Sequence, residues 1–196
     1  ATGAAEEWST TQPVGAWATS TSINTARNSV ASAGESAEAA LLFGGNKPSL
    51  TADTEIWNGT AWTETNNMLT ARNGFAGNGT STSALGYGQD DPARSGLTES
   101  WNGTSWSEKA DLSTVRRQAG GLGADNESAL TFGGENTTIN LITNTEEWNG
   151  SAWTETGDLN TGRLGMAGTG ITTAGLASAG RQVDPDSLRT ETEQWN

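Results

Sequence analysis

The sequence contains no cysteine and no histidine. Without cysteine it has no disulfide framework, and the redox environment of the protein stays open. Without histidine, the common zinc sites, histidine-based catalytic triads and histidine general bases are excluded. We therefore expect no metal site, no cofactor and no enzyme activity.

Basic residues and long apolar runs are also scarce. The chain of 196 residues has 10 Lys and Arg against 23 Asp and Glu, a formal net charge of −13. Such a charge repels phosphate backbones and anionic membranes, so we expect no nucleic-acid partner. No apolar run approaches the ~20 residues of a membrane-spanning helix, so we expect no membrane insertion.

Only 33% of the residues are hydrophobic, but there are nine Trp and 26 Gly. A low apolar content on its own is typical of disorder. Each Trp, however, buries a large area, and Gly suits tight turns. We expect a folded chain whose core is built from Trp, Ala and glycine backbone.

A Trp-rich segment recurs along the whole chain. It reads Glu-Ile-Trp-Asn-Gly-Thr-Ala-Trp-Thr-Glu at 55–64, and similar copies begin at Trp101 and Trp148. An irregular copy opens the chain and a truncated one closes it. The first Trp of successive copies are 49, 44, 47 and 47 residues apart, at Trp8, Trp57, Trp101, Trp148 and Trp195.

Two further landmarks keep the same register. Ten residues after each second Trp stands an arginine, at Arg27, Arg72, Arg116 and Arg163. An Ala- and Leu-rich segment ending in glycine follows. Apolar residues alternate with period two, and a unit of about 45 residues with four short strands matches a propeller blade. The sequence predicts one all-β propeller domain, with repeat units at about 1–20 (partial), 21–66, 67–110, 111–157 and 158–196 (partial).

The two Trp of each copy flank an Asn-Gly pair, which favours a two-residue type I′ turn. In that register Trp57 faces Thr60, and Glu55 faces Trp62. The two indoles would then lie diagonally on one face of the hairpin, within reach of each other.

These residues resemble the kelch repeat, in which a hydrophobic run ending in Gly-Gly precedes two spaced aromatic residues. Here Gly45 precedes Trp57 by twelve residues, and Trp62 follows five later. The resemblance implies four-stranded blades arranged radially, with the terminal strands together closing the ring. The motif Trp-Asn-Gly-Thr-x-Trp is also similar to repeats of marine bacteriophage proteins, especially of phages that infect cyanobacteria. This resemblance implies that the protein is part of a tail, fibre or other virion appendage.

The repeats provide seventeen strands, whereas four blades use sixteen. The extra strand arises because the segments around Trp8 and Trp195 occupy equivalent places in the repeat. Three arrangements remain open: one copy lies outside the ring, the chain is a slice of a larger propeller, or the spare strand is exchanged with a neighbouring subunit. Four blades are the favoured count.

The repeated arginines and tryptophans each have two interpretations. The arginines would form a ring that binds an anion in the channel, or would pair with blade carboxylates such as Glu64, Glu108 and Glu155, or with carbonyls. The Trp pairs would stack on sugars or pack between blades. We favour the structural role in both cases, at Trp57, Trp62, Trp101, Trp106, Trp148 and Trp153 and at the four arginines. We expect Trp8, Trp17 and Trp195 to be more exposed, because their units are irregular.

Four loops differ from repeat to repeat, at 46–53, 89–97, 135–143 and 181–190. Function on rigid scaffolds tends to lie in such loops. The candidate partner-binding residues are Asn46, Lys47, Gln89, Asp90, Asp91, Arg94, Glu135, Asn136, Asp184 and Arg189. The loop carboxylates are the remaining candidates for acid–base chemistry, but nothing in the sequence marks one for a raised pKa.

We expect a non-catalytic binding or structural module of a virion, in an extracellular location. Its partners would be other virion proteins or host-surface glycans, and homo-oligomers stay open. The alternative is a secreted or surface lectin. An intracellular scaffold and a carbohydrate-active enzyme are less favoured.

Overall fold

The structure is a computed structural model that describes residues 6–8, 17–90, 93–138, 140–183 and 186–196. These residues form strands, turns and loops, with no helix among them, so the expected all-β class is confirmed. Gly and Thr are poor helix formers, and the alternating apolar pattern suits strands.

The chain begins with a separate hairpin, β1 (Glu6–Trp8) and β2 (Trp17–Thr19), in which Trp8 lies opposite Trp17. The first four-stranded sheet follows. Its strands in spatial order are β3 (Ala31–Ser36), β4 (Ala39–Phe43), β7 (Thr54–Trp57) and β8 (Trp62–Glu64). A small hairpin, β5 (Asn46–Lys47) and β6 (Ser49–Leu50), stands in the loop between the second and third of these strands.

The second and third sheets repeat this order without the small hairpin. The second contains β9 (Ala76–Gly79), β10 (Ala84–Gln89), β11 (Ser95–Trp101) and β12 (Trp106–Glu108). The third contains β13 (Gly120–Leu122), β14 (Ala129–Phe132), β15 (Thr145–Trp148) and β16 (Trp153–Thr156). All neighbouring strands are antiparallel.

The fourth sheet has three strands, β17 (Ala167–Ile171), β18 (Ala174–Ser178) and β21 (Thr192–Trp195). Its loop holds the hairpin β19 (Arg181–Val183) and β20 (Asp186–Leu188). The outer strand present in the other three sheets is missing here, so β21 pairs with β18 and with no other described strand.

The four sheets are arranged as the blades of a four-bladed β-propeller, which confirms the predicted architecture. The inner strands contact one another in the order β3, β9, β13 and β17. Among the described strands, no comparable contact joins β17 back to β3. The structure differs from expectation at the termini, because β2 pairs with β1 and not with β21.

The Trp hairpins have a longer turn than the sequence suggested. Trp57 lies directly opposite Trp62, and Glu55 opposite Glu64, so four residues form the turn. The Asn58 side chain accepts the backbone N–H groups of Thr60 and Ala61, both at 3.0 Å. This Asx turn keeps Asn58 out of the positive-φ region, and only the glycine takes it, at φ 89° for Gly59. The predicted type I′ register is therefore wrong.

The core consists of three apolar clusters, one between each pair of consecutive blades. In the first, Phe43 of one blade packs against Trp106 of the next, with ring centroids 4.8 Å apart. In the second, Tyr87 meets Trp153 at 4.9 Å. The Trp-rich core expected from composition thus lies between the blades, where each aromatic ring buries a large area.

Candidate functional site

The repeated arginine of each blade is buried in an ion pair with a glutamate on the third strand. The pairs are Arg27 with Glu55 at 2.7 Å, Arg72 with Glu99 at 3.2 Å, Arg116 with Glu146 at 2.7 Å and Arg163 with Glu193 at 3.0 Å. The expected pairing with blade glutamates and with carbonyls is confirmed, but the named partners Glu64, Glu108 and Glu155 were wrong. They lie directly opposite these glutamates, but on the outermost strand and farther from the arginine.

Each glutamate also holds the backbone that leads into its blade. In the third blade, Glu146 accepts the N–H of Ser113 at 2.7 Å and of Thr114 at 3.1 Å, while Arg116 donates to the carbonyls of Asn144 and Gly133. Burial lowers the pKa of Arg116, and the charge of Glu146 partly offsets this effect. Burial likewise lowers the pKa of Arg72 to about 10, so that it stays charged near neutral pH.

The arginines do not line the central channel. A cavity of about 270 Å³ lies along the axis, bordered by the glycine-rich inner strands at 32–34, 77–79, 121–123 and 168–170. These residues present mainly backbone and small side chains to the channel. The arrangement gives no ring of guanidinium groups for an anion.

The four variable loops leave their blades at equivalent points. A residue at or next to the start of each loop donates its backbone N–H to the carbonyl of the residue that follows the buried arginine of the same blade: Asn46 to Asn28, Asp90 to Asn73, Glu135 to Arg117 and Arg181 to Leu164. Because equivalent positions of propeller blades share one end of the propeller, the loops lie together on one face. We call this face the loop face.

The second and third loops are joined by four charged side chains, Asp90, Arg94, Arg117 and Glu135, which we call the loop cluster. Arg117 donates to both carboxylate oxygens of Asp90, at 2.9 and 3.1 Å, and to Glu135 at 2.8 Å. Arg94 pairs with the same Glu135 at 2.9 Å and donates to the carbonyl of Asn136. The Glu135 side chain is only 1% exposed, so the pairing holds a nearly buried carboxylate.

Sequence reasoning named three members of the loop cluster and missed Arg117. Burial acts to lower the pKa of Arg117, but Asp90 and Glu135 outweigh it and raise the pKa above its ordinary value. The signal for this residue is the Arg116–Arg117 doublet, since the equivalent positions hold Asn28, Asn73 and Leu164.

The other candidate loop residues are spread over the loop face. Lys47 pairs with Asp53 in the first loop. Burial would raise the pKa of Asp53, but Lys47, Thr51 and Arg27 together lower it. The remaining positions are held locally: Gln89 accepts from Ser95, Asn136 caps its own turn, and Arg189 lies 3.5 Å from Glu191. Asp91 and Asp184 fall outside the described residues.

The Trp residues of the second and third blades are built into the blade contacts. The first of each pair donates its indole N–H to a carbonyl within its own blade, Trp101 to Ser81 and Trp148 to Asn126, both at 3.0 Å. The second reaches the preceding blade, where Trp106 donates to the Thr54 hydroxyl at 3.0 Å and Trp153 to that of Thr98 at 2.9 Å.

The fourth blade repeats only half of this arrangement. Trp195 donates to the carbonyl of Thr172 at 2.7 Å, as the first Trp of the other blades does to its own blade. The place of a second Trp is instead a cavity of about 320 Å³, lined by Phe132, Thr145 and Trp195 among others. We call it the Trp cavity.

An exposed Trp lies in the separate N-terminal hairpin. Trp17, whose position in the repeat is that of Trp62, Trp106 and Trp153, is 62% exposed in β2. Trp195 is half-buried, and for Trp8 the structure describes only the strand pairing.

No protein-family model matches the chain, and no curated protein is detectably similar to it. Within the described ranges, no group of three acidic side chains is placed to hold a metal ion. The same residues include no helix long and apolar enough to cross a membrane.

Proposed function

We propose that this propeller is a non-catalytic binding and structural module that meets its partners through the loop face. The observation that carries the proposal is that repeated residues and variable residues lie in different places. The repeated arginines and their glutamates, and the Trp pairs of the second and third blades, are held by contacts within and between blades, whereas the four loops that differ between repeats lie on one face.

Two resemblances support a more specific role. The repeats resemble kelch units, and their Trp-Asn-Gly-Thr-x-Trp motif is similar to repeats of marine phage proteins. In that role the protein is a virion appendage, such as part of a tail or fibre, in an extracellular location. The net charge of −13 fits partners that are proteins or glycans better than nucleic acid. Attachment would depend on surface complementarity and would need no cofactor.

A carbohydrate-binding lectin is the second candidate, and the polar character of the loop face favours it. The loop cluster offers carboxylate and guanidinium groups, and Asn136 adds an amide beside it. Such groups donate to and accept from sugar hydroxyls. In this case the glycan would be the ligand itself and no virion would be needed.

The test is binding of the labelled protein to a glycan array and to marine bacterial cells. Replacing Asp90 and Arg94 together by Ala removes one acidic and one basic side chain of the loop face. The matched control replaces Glu108 and Lys109, an exposed acidic and basic pair at the outer strand of the second blade. We expect the loop variant to lose binding and the control to keep it, with near-ultraviolet circular dichroism showing that both are folded.

Equal loss of binding in the two variants would contradict a role for the loop face. A folded protein that binds neither glycans nor cells would overturn the recognition function and leave the structural role in the virion. Binding of purified glycans with no cell or virion dependence would favour the lectin.

A further inference from the structure

We propose that the loop face binds an acidic glycan in a groove between the third and fourth blades, and that Gln118 is a binding residue of this site. The inference rests on the function proposed above and names the chemistry of its ligand. The groove has a volume of about 350 Å³. We call it the loop groove, and its lining includes Gln118, Leu164, Ala179, Arg181, Leu188 and Arg189.

The loop groove lies beside the inner strands and away from the free edge of β21. Its residues come from the segments that lead into β13 and β17 and from the loop that follows β18. The strand that the fourth blade lacks would stand outside β21, on the opposite side of the blade from β17. The groove is therefore formed by two neighbouring blades that are both present at this face.

Two positions of every blade take a positive φ beside the loop face. One stands two residues after the buried arginine, and the other stands two residues before the loop residue that bonds back to this segment. Five of the eight residues at these positions are glycine, for which this conformation is not strained: Gly44, Gly74, Gly88, Gly133 and Gly165. The exceptions are Ser29, Gln118 and Ala179, at φ 53°, 48° and 59°. Gln118 and Ala179 both line the loop groove.

The fold does not require the side chain of Gln118. Its backbone N–H donates to the carbonyl of Gly74 at 2.8 Å, and its carbonyl accepts the N–H of Gly165 at 2.8 Å, so the main chain alone joins the neighbouring blades. None of the described residues bonds its side-chain amide. Residues held in strained conformations cluster at ligand sites. The strain at Gln118 is thus best explained by a ligand that its amide contacts.

The loop groove is open where the equivalent place of the second blade is covered. A Cβ added at Gly74 would lie 2.7 Å from the Cβ of Asp90. A Cβ added at Gly165 would meet no atom of the described residues within 4 Å, apart from its chain neighbours. Leu188, which also lines the groove, is 87% exposed. A cavity of this size accommodates a small ligand such as a short oligosaccharide.

The chemistry of the lining is specific to the fourth blade. Arg181 is the basic residue at a repeat position that is polar or acidic in the other loops, which have Asn46, Asp90 and Glu135 there. Ala179 and Leu188 add apolar surface, which suits the ring face of a sugar. The amide of Gln118 can both donate to and accept from sugar hydroxyls.

Two arginines in the lining favour a ligand that carries carboxylates. Arg181 and Arg189 line the groove, and no carboxylate of a described residue does. Guanidinium groups bind carboxylates through strong, charge-assisted hydrogen bonds. Arg189 lies 3.5 Å from Glu191, and such an exposed pair is weak enough for a ligand carboxylate to replace it. The ligand class is therefore a glycan that contains uronic acids.

Isothermal titration calorimetry with two probes tests the ligand class. The probes are a tetramer of galacturonic acid and a neutral tetramer of glucose. We expect the acidic tetramer to bind at least about tenfold more tightly than the neutral one, because only it can pair with the arginines. Arg189→Gln should weaken binding of the acidic tetramer and reduce this preference.

Gln118→Gly separates a binding role from a structural one. Glycine is not strained at a φ of 48°, so the substitution should raise Tm by about 2–4 °C. It should also lower the affinity for the acidic tetramer about tenfold, because the amide contacts are lost. Ser29→Gly is the matched control: it removes the same backbone strain in the first blade, so Tm should rise while the affinity stays unchanged.

Unchanged affinity of the Gln118→Gly protein, or no binding of the acidic tetramer by the unchanged protein, would overturn the proposal. Equal affinity for the two tetramers would exclude the acidic class. These results differ from failure of the loop face as a whole. If the unchanged protein binds cells and the variant with Asp90→Ala and Arg94→Ala does not, the loop face functions and only the loop groove is excluded.

Discussion

The buried ion pair of each blade connects three parts of the repeat. In the third blade, Glu146 binds Arg116 and also accepts the backbone N–H groups of Ser113 and Thr114. Arg116 donates to the carbonyls of Gly133 and Asn144, which stand at the two ends of the loop between β14 and β15. Both side chains are at most 1% exposed. Removing one partner of such a pair leaves a charge buried without compensation.

Glu146→Ala should therefore lower the free energy of unfolding by about 3–5 kcal/mol. Urea denaturation followed by Trp fluorescence measures it. The neighbouring Glu147→Ala, on the half-buried opposite side of β15, is the control and should stay within about 0.5 kcal/mol. A loss below 1 kcal/mol at Glu146 would show that the pair adds little to the blade.

At the scale of the element, the Trp hairpin depends on its turn. The asparagine side chain caps two backbone N–H groups, and glycine takes the positive φ that the turn requires. In the second blade a Cβ at Gly103 would stand 3.2 Å from the carbonyl oxygen of Thr82, a tight approach to backbone. The turn therefore sets the alignment of Trp101 with Trp106, and through it the contact with the preceding blade.

Gly103→Ala should destabilise the protein by about 1–3 kcal/mol, because alanine is strained at a φ of 89°. Ser105→Ala in the same turn is the control, since the side chain of Ser105 is exposed. Thermal or urea unfolding of both variants measures the difference. If the two variants are equally stable, the positive φ of the turn does not contribute to the free energy of unfolding.

For the whole molecule, the repeat predicted much of the architecture and little of the loop face. Trp spacing, alternation and glycine positions follow from one repeated pattern, which the first three blades satisfy with four strands each and the fourth with three. Arg117 could not be placed from sequence, because its partners Asp90 and Glu135 are brought to it by two different blades. The glutamate partners of the arginines were misassigned because opposed strand residues share a face, and sequence alone does not rank their distances.

The termini are likewise a property of the whole molecule. The sequence shows that the segments ending at Trp8 and Trp195 are equivalent, and three arrangements fit that fact. In the structure β2 pairs with β1 and β21 pairs with β18, so the N-terminal Trp hairpin stands apart from the fourth blade.

Binding by the loop variant tests this account most directly. The protein with Asp90→Ala and Arg94→Ala is compared with the protein with Glu108→Ala and Lys109→Ala, and with the unchanged protein, on glycans and on bacterial cells. We predict that only the loop variant loses binding, because the loops that differ between repeats lie on the loop face. Unchanged binding by the folded loop variant would contradict the account.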